Sequence, residues 1–141
     1  MVATKKDEWR IRWLGCINEL TSLELQKKSW LDRSISNPHW SFVEFMCCYF
    51  DDLYIEDNYK YHVQNGFVSE SEFELIKDWH MALDAYNSPQ NDDYDCEAIL
   101  SDTKWLEILN IGVEIKNKLA SVINEGEREV LIEEINYLDY I

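Results

Sequence analysis

Three histidines (His39, His62 and His80) and four cysteines (Cys16, Cys47, Cys48 and Cys96) are the side chains of this 141-residue sequence best suited to catalysis or metal binding. No H-E-x-x-H occurs, and no Glu stands three residues before any histidine, so the common helical metal sites are missing. His80 and Asp84 lie one helical turn apart and are expected to touch, either as a base with its orienting acid or as an ordinary helix-face contact. A Cys–His nucleophile would need the fold to bring the pair together. The cysteines form no C-x-x-C pair, and Cys47 and Cys48 are adjacent, so they read as free thiols of a reducing compartment. Asp92, Asp93 and Asp95 invite a calcium test. A loop starting at Asp93 has Ala98 where an EF-hand needs Gly and Lys104 where it needs Glu, so the pattern fails. Glycines stand only at 15, 66, 112 and 126, which leaves no G-x-G-x-x-G or Walker loop for a nucleotide. The sequence therefore predicts no catalytic residues, no metal and no cofactor.

The acids speak more clearly. The formal net charge is -15, and residues 44–102 carry fifteen Asp/Glu against two Lys/Arg. Residues 1–43 are slightly basic at +2, and residues 103–141 carry -4. Such a surface repels phosphate backbones and anionic membranes, which excludes nucleic-acid binding by counterion release and electrostatic membrane docking. Crowded like charges also oppose folding, so the concentration itself calls for a reason. Two clusters stand out as a partner-binding surface. One is Asp51, Asp52, Tyr54, Glu56, Asp57 and Tyr59, with Tyr61 alongside; the other is Asp92, Asp93, Tyr94 and Asp95. Tyrosine beside carboxylate suits an interface that grips Arg and Lys through ring faces and charge-assisted hydrogen bonds.

The elements that must carry these residues are helical. Apolar residues make up 46% of the chain and aromatics 13%, too much core-forming material for a disordered acidic tail. Trp9, Trp13, Cys16/Ile17 and Leu20 form a stripe at helical spacing, predicting helices near 5–19 and 22–35 divided by a Thr21/Glu24 cap. Asn37 and Pro38 are expected to restart the chain into an aromatic helix whose face is Phe42, Phe45/Met46, Tyr49 and Leu53. A short helix over 59–65 should close on Gly66, and Ser69 with Glu72 caps a helix over 70–86. A turn of helix near 97–100, a helix from Asp102 to about residue 124 and a last helix over 127–138 complete the reading. The tryptophans are expected in the core, with Trp30 partly exposed near a helix end, and Arg33 is expected to pair with a carboxylate. The fold class is all-α: one single-domain bundle of about six to eight helices spanning residues 1–141. Two lysines near the start precede no apolar stretch, so no signal peptide is expected, no run is long enough to span a membrane, and the chain reads as cytoplasmic.

Across its whole length this profile resembles the immunity proteins of bacterial contact-dependent growth inhibition and related polymorphic toxin systems. The segments carrying the likeness are Ser29-Trp30-Leu31-Asp32-Arg33, Asn37-Pro38-His39-Trp40 and Tyr49-Phe50-Asp51-Asp52-Leu53. The resemblance implies a protein, not an enzyme, that binds a cognate toxin C-terminal domain, often a basic nuclease, and covers its active site. Two other readings are carried forward: a small helical enzyme or metal protein built on the histidines and nearby carboxylates, and an acidic adaptor or regulator.

Overall fold

In the computed structural model, residues 5–140 are described; residues 1–4, where the stretch read for a leader begins, and residue 141 lie outside them. Three of the terminal signals, at Ser69, Asp102 and Gly66, act as read. Ser69 Oγ accepts from the Glu72 N–H (3.1 Å) and Glu72 Oε1 accepts from the Ser69 N–H (2.9 Å), which starts α5 (Glu70–Asp84). Asp102 accepts from the Lys104 N–H and starts α7 (Thr103–Ala120), and Gly66 takes the left-handed conformation at φ 77°. The other α-helices are α1 (Lys5–Leu20), α2 (Leu23–Trp30), α3 (Phe42–Cys47), α4 (Lys60–Gln64), α6 (Cys96–Leu100) and α8 (Glu125–Ile132). Among the described residues there is no strand, and no helix is long and apolar enough to cross a membrane.

Several boundaries differ from the sequence expectation, each for a local reason. Thr21 is buried and donates back to the Ile17 carbonyl (2.7 Å), so Ser22 caps α2 instead. α3 begins at Ser41, which accepts from the Glu44 N–H, and not at Asn37. Asn37 accepts from the His39 N–H and donates to the Tyr140 carbonyl (2.7 Å), joining this loop to the C-terminal 3-10 turn Tyr137–Tyr140. α8 starts at Glu125 behind the Asn124 cap, so Gly126 falls within its first turn and the helix begins two residues earlier than expected. α8 stops at Ile132 and the chain turns extended at Glu133, where Asn18 Nδ2 donates to the Val130 and Glu133 carbonyls (3.3 and 2.9 Å). Trp30 is buried against Phe42, Phe45 and Trp105, and Arg33 is exposed with no carboxylate partner among the described residues.

α5 packs along α7 and α1 along α8. Trp13, Trp79 and Trp105 are wholly buried between them. α7 approaches so closely that a Cβ on Gly112 would sit 2.7 Å from Thr21 Cγ2 and 2.8 Å from Trp79 Nε1. Arg10 of α1 closes one end. It meets Glu72 in a bidentate pair (2.9 and 2.7 Å), binds Glu127 of α8 through Nε (2.6 Å) and donates to the Phe67 carbonyl (2.8 Å). Burial works against both charges, but the hydrogen bonds outweigh it: Arg10 is held more firmly protonated and Glu72 sits below the usual carboxylate range.

The polar core is a chain of rings. Trp13 Nε1 donates to Tyr59 Oη (3.0 Å), Tyr59 meets Tyr49 hydroxyl to hydroxyl, and Tyr49 reaches His80 Nδ1 (2.9 Å). The indole can only donate, so Tyr59 accepts from Trp13, and the two hydroxyls and the imidazole beyond it are linked in one continuous hydrogen-bonded chain. Burial lowers the His80 pKa.

Two outcomes follow. Gly112→Ala should lower unfolding free energy by about 1–3 kcal/mol through overpacking, despite alanine's better helix propensity. Gly15→Ala, with nothing within 4 Å of its new Cβ, should be neutral or stabilise by up to about 1 kcal/mol. Urea melts of the two variants check this pair, and equal effects would contradict it. For His80 the folded value lies below the ordinary 6.5. Its contribution is therefore complete above 6.5 and lost as pH falls and the unfolded chain gains a proton that the folded one refuses. His39 runs the other way, because its bond to Glu19 raises its pKa and adds stability at low pH. Melts between pH 7 and 5 should show a smaller loss of stability for His80→Gln than for the parent; identical slopes would contradict the neutral His80.

Candidate functional site

The first acidic cluster lies where α3 changes its winding. Residues Cys48–Asp52 form a π-helical turn, and the Ile55 N–H reaches the Phe50 carbonyl (3.1 Å). The wider turn keeps Tyr49 in the core while Asp51 and Asp52 face out. Trp9 Nε1 donates to the Leu53 carbonyl (3.1 Å) and ties this end to α1. Tyr54 then takes φ 54° and stands 77% exposed. Asp57, Asn58 and Tyr59 follow with φ of 47°, 54° and 66°, a left-handed turn of three residues that L-amino acids rarely sustain. Such backbone conformations concentrate at functional sites.

That turn corrects one site assignment. Tyr59 is wholly buried, with its hydroxyl engaged by Trp13 and Tyr49, so it is a core residue and cannot touch a partner. Tyr54, Glu56, Asp57 and Tyr61 remain exposed and border a cleft of about 490 Å³ over Trp9, His62 and Phe67.

The second cluster sits on the loop before α6. Tyr94 is 83% exposed, and Asp92, Asp93 and Asp95 are all at the surface. Each also has a local structural task. Asp92 accepts from the Tyr94 N–H (3.0 Å), Asp93 from the Ser88 hydroxyl (2.5 Å), and Asp95 caps α6 by accepting from the Ala98 N–H (3.1 Å). Among the described residues, no hydrogen bond, ion pair or ring contact joins this loop to the 51–61 segment. The two clusters are separate patches. The first is the cleaner candidate, because its acids hold no helix cap.

The structure also brings together a group that sequence spacing could not show. His39 Nε2 lies 2.6 Å from Glu19 Oε2, and Cys48 Sγ lies 3.8 Å from His39 Nδ1. They line a cavity of about 480 Å³ that Asp52, Trp40 and Tyr140 also border. The order thiol, imidazole, carboxylate is that of a nucleophilic triad. Its electrostatics are the opposite. Burial and then Asp52, which accepts from the thiol, push Cys48 up to about 12, so the sulfur stays protonated. Cys16 beside it is raised further by burial. His80 does not meet Asp84 by hydrogen bond; its Nδ1 takes Tyr49, and Asp84 acts on it only through charge. Among the described residues, no group of three or more His, Cys, Asp or Glu could hold a metal ion.

No family model, curated protein or solved structure matches the chain.

A protonated, half-buried Cys48 predicts slow alkylation. With iodoacetamide at neutral pH, Cys48 of the native protein should label at least about ten times more slowly than in urea, as followed by peptide mass spectrometry. Labelling of Cys48 ahead of Cys47, its neighbour, would contradict the electrostatic account and restore a nucleophile.

Proposed function

We propose that the chain is an acidic docking protein that neutralises a basic protein partner, in the manner of the immunity proteins it resembles, by covering the cationic site of a toxin nuclease domain in the cytoplasm. The observation that supports this reading is the state of the acids in residues 44–102. Twelve of the fifteen are exposed, and of these twelve only Glu74 has a cationic partner among the described residues, Lys77. Unpaired exposed carboxylates repel one another, and they favour fast, salt-sensitive capture of a cationic surface. The exposed rings of Tyr54, Tyr61 and Tyr94 stand among them and supply contact area and faces for Arg and Lys. The protonated Cys48 argues against a nucleophilic role for that thiol.

A neighbouring gene is expected to encode a large secreted protein with a basic C-terminal domain, and the test uses that domain. A stoichiometric complex that blocks the domain's activity is expected, with an association rate falling about tenfold or more between 0.05 and 0.5 M NaCl. Asp51→Lys with Asp52→Lys should slow association far more than Glu107→Lys with Glu114→Lys, exposed acids of α7 that serve as the control. Glu127 is unsuitable as a control because it holds Arg10. Binding without loss of the domain's activity would favour the adaptor reading, and an association rate indifferent to salt and to Asp51 and Asp52 would overturn the proposal.

A further inference from the structure

Residues 133–140, which follow α8, lie over the surface with open space beside them. Glu133 and Ile135 border two cavities at once, of about 480 and 670 Å³, and within the segment only Ile135 and Tyr137 are half-buried while the rest is exposed. Past the Asn18–Glu133 contact at its start, the hydrogen bonds and ring contacts that hold the segment to other elements all go, among the described residues, to the loop over 31–41. Asn37 Nδ2 donates to the Tyr140 carbonyl (2.7 Å), Tyr137 donates to Asp32 (2.7 Å), and Trp40 packs on both tyrosine rings, with centroids 6.0 and 6.2 Å apart. His39 organises these anchors. Its N–H donates to the Asn37 side chain that holds Tyr140 (3.0 Å), and its ring stands edge-on to Trp40 at 4.7 Å. Through Nε2 it meets Glu19 of α1 (2.6 Å), the one ion pair that ties this loop to a helix among the described residues.

The Glu19 side chain is only 14% exposed, and protonated His39 is its one cationic partner among the described residues. A largely buried carboxylate that loses its counter-charge gains by meeting water. Water reaches it through the cavity that Ile135 and Tyr140 border. We propose that residues 133–140 are a proton-controlled strap, docked while His39 is charged and released from the cavity when His39 is neutral. Glu19 from α1, Glu44 from α3 and Cys48 from the π-helical turn face the ring. Arg12, Cys16, Asp52, Glu133 and Tyr140 share its cavity, and of these Arg12 alone opposes a charged imidazole. The bond to Glu19 raises the His39 pKa above the ordinary 6.5, so support for the docked form is complete below 6.5 and is lost as pH rises through the raised value. The anchors themselves hold one state over that range. The Ser34 hydroxyl and then Tyr137 keep Asp32 below the usual carboxylate range, and Asp32 keeps Tyr137 above the usual phenol value.

The test is NMR of the isotope-labelled full chain between about pH 5.5 and about pH 8.5, a range that brackets an imidazole titration. Nuclear Overhauser contacts of the Trp40 ring with Tyr137 and Tyr140 are expected at the acid end and should weaken at least about threefold at the alkaline end. The Trp40 indole shift should titrate with the midpoint of the His39 ring, while amide protection in α5 and α7 stays level. His39→Gln should abolish the titration of Trp40 and Tyr140, and Glu19→Gln supplies the same comparison should the first variant fail to fold. Ring contacts unchanged across the range in the parent would overturn the proposal, as would a Trp40 titration that persists in whichever variant folds. Loss of the contacts together with protection in α5 and α7 would overturn it too, because the whole chain would then be opening and not the strap.

Discussion

Arg10 is the constraint on which the other contacts rest. A guanidinium is never neutral in a protein, so a buried one must have its donors met or it unfolds its surroundings. Here they are met by two carboxylates and a carbonyl from three separate segments: Glu72 at the start of α5, Glu127 at the start of α8 and Phe67 in the turn between α4 and α5. Both glutamates sit in first helical turns, where the helix dipole also favours them. Glu72 has a second task in the capping box of α5. One charge therefore sets where two helices begin and how both approach α1. The ring of Trp13, 5.3 Å from the guanidinium carbon, carries the arrangement into the aromatic core.

Two other cations are also turned inward. Lys116 is half-buried and donates to Asn18, and Arg128 donates to the Ala120 and Ile123 carbonyls that α7 leaves open at its end. Lys28 and Lys77 pair with glutamates on their own helices. Residues 44–102 hold only two cations of their own, Lys60 and Lys77, against fifteen acids, so most of the acids there stay unpaired. The net charge of -15 is thus not spread evenly over the molecule. The surface from Asp51 to Asp57 and the loop at Asp92 keep their field.

Much of the fold was legible because its signals are local. The Ser69/Glu72 box, the Asp102 cap and Gly66 need only neighbouring residues, and each acts as its spacing says. What escaped depends on distance in the sequence. The Arg10–Glu127 contact spans 117 positions, whereas Arg33, the cation expected to pair, stays exposed. The end of α8 was misread because Asn18, more than a hundred residues away, takes its last carbonyls. The candidate surface was largely legible, since exposed acids follow from composition and helical period. Tyr59 was not, because a left-handed turn, which no local signal announces for Asp-Asn-Tyr, swings it into the core. Cys48, His39 and Glu19 stand on three separate elements, and only the fold brings them together.

The central claim is that the acids of residues 51–57 are kept for a partner at a cost to the free chain. Equilibrium urea unfolding at neutral pH, from 0.05 to 0.5 M NaCl, measures this directly on the parent and on Asp51→Asn/Asp52→Asn/Asp57→Asn. The account predicts that salt stabilises the parent through screening, and that the triple variant is at least as stable at low salt and gains less from added salt. A parent destabilised by salt, or a variant weaker by about 1 kcal/mol or more at low salt, would mean that these carboxylates serve the fold, and would contradict it.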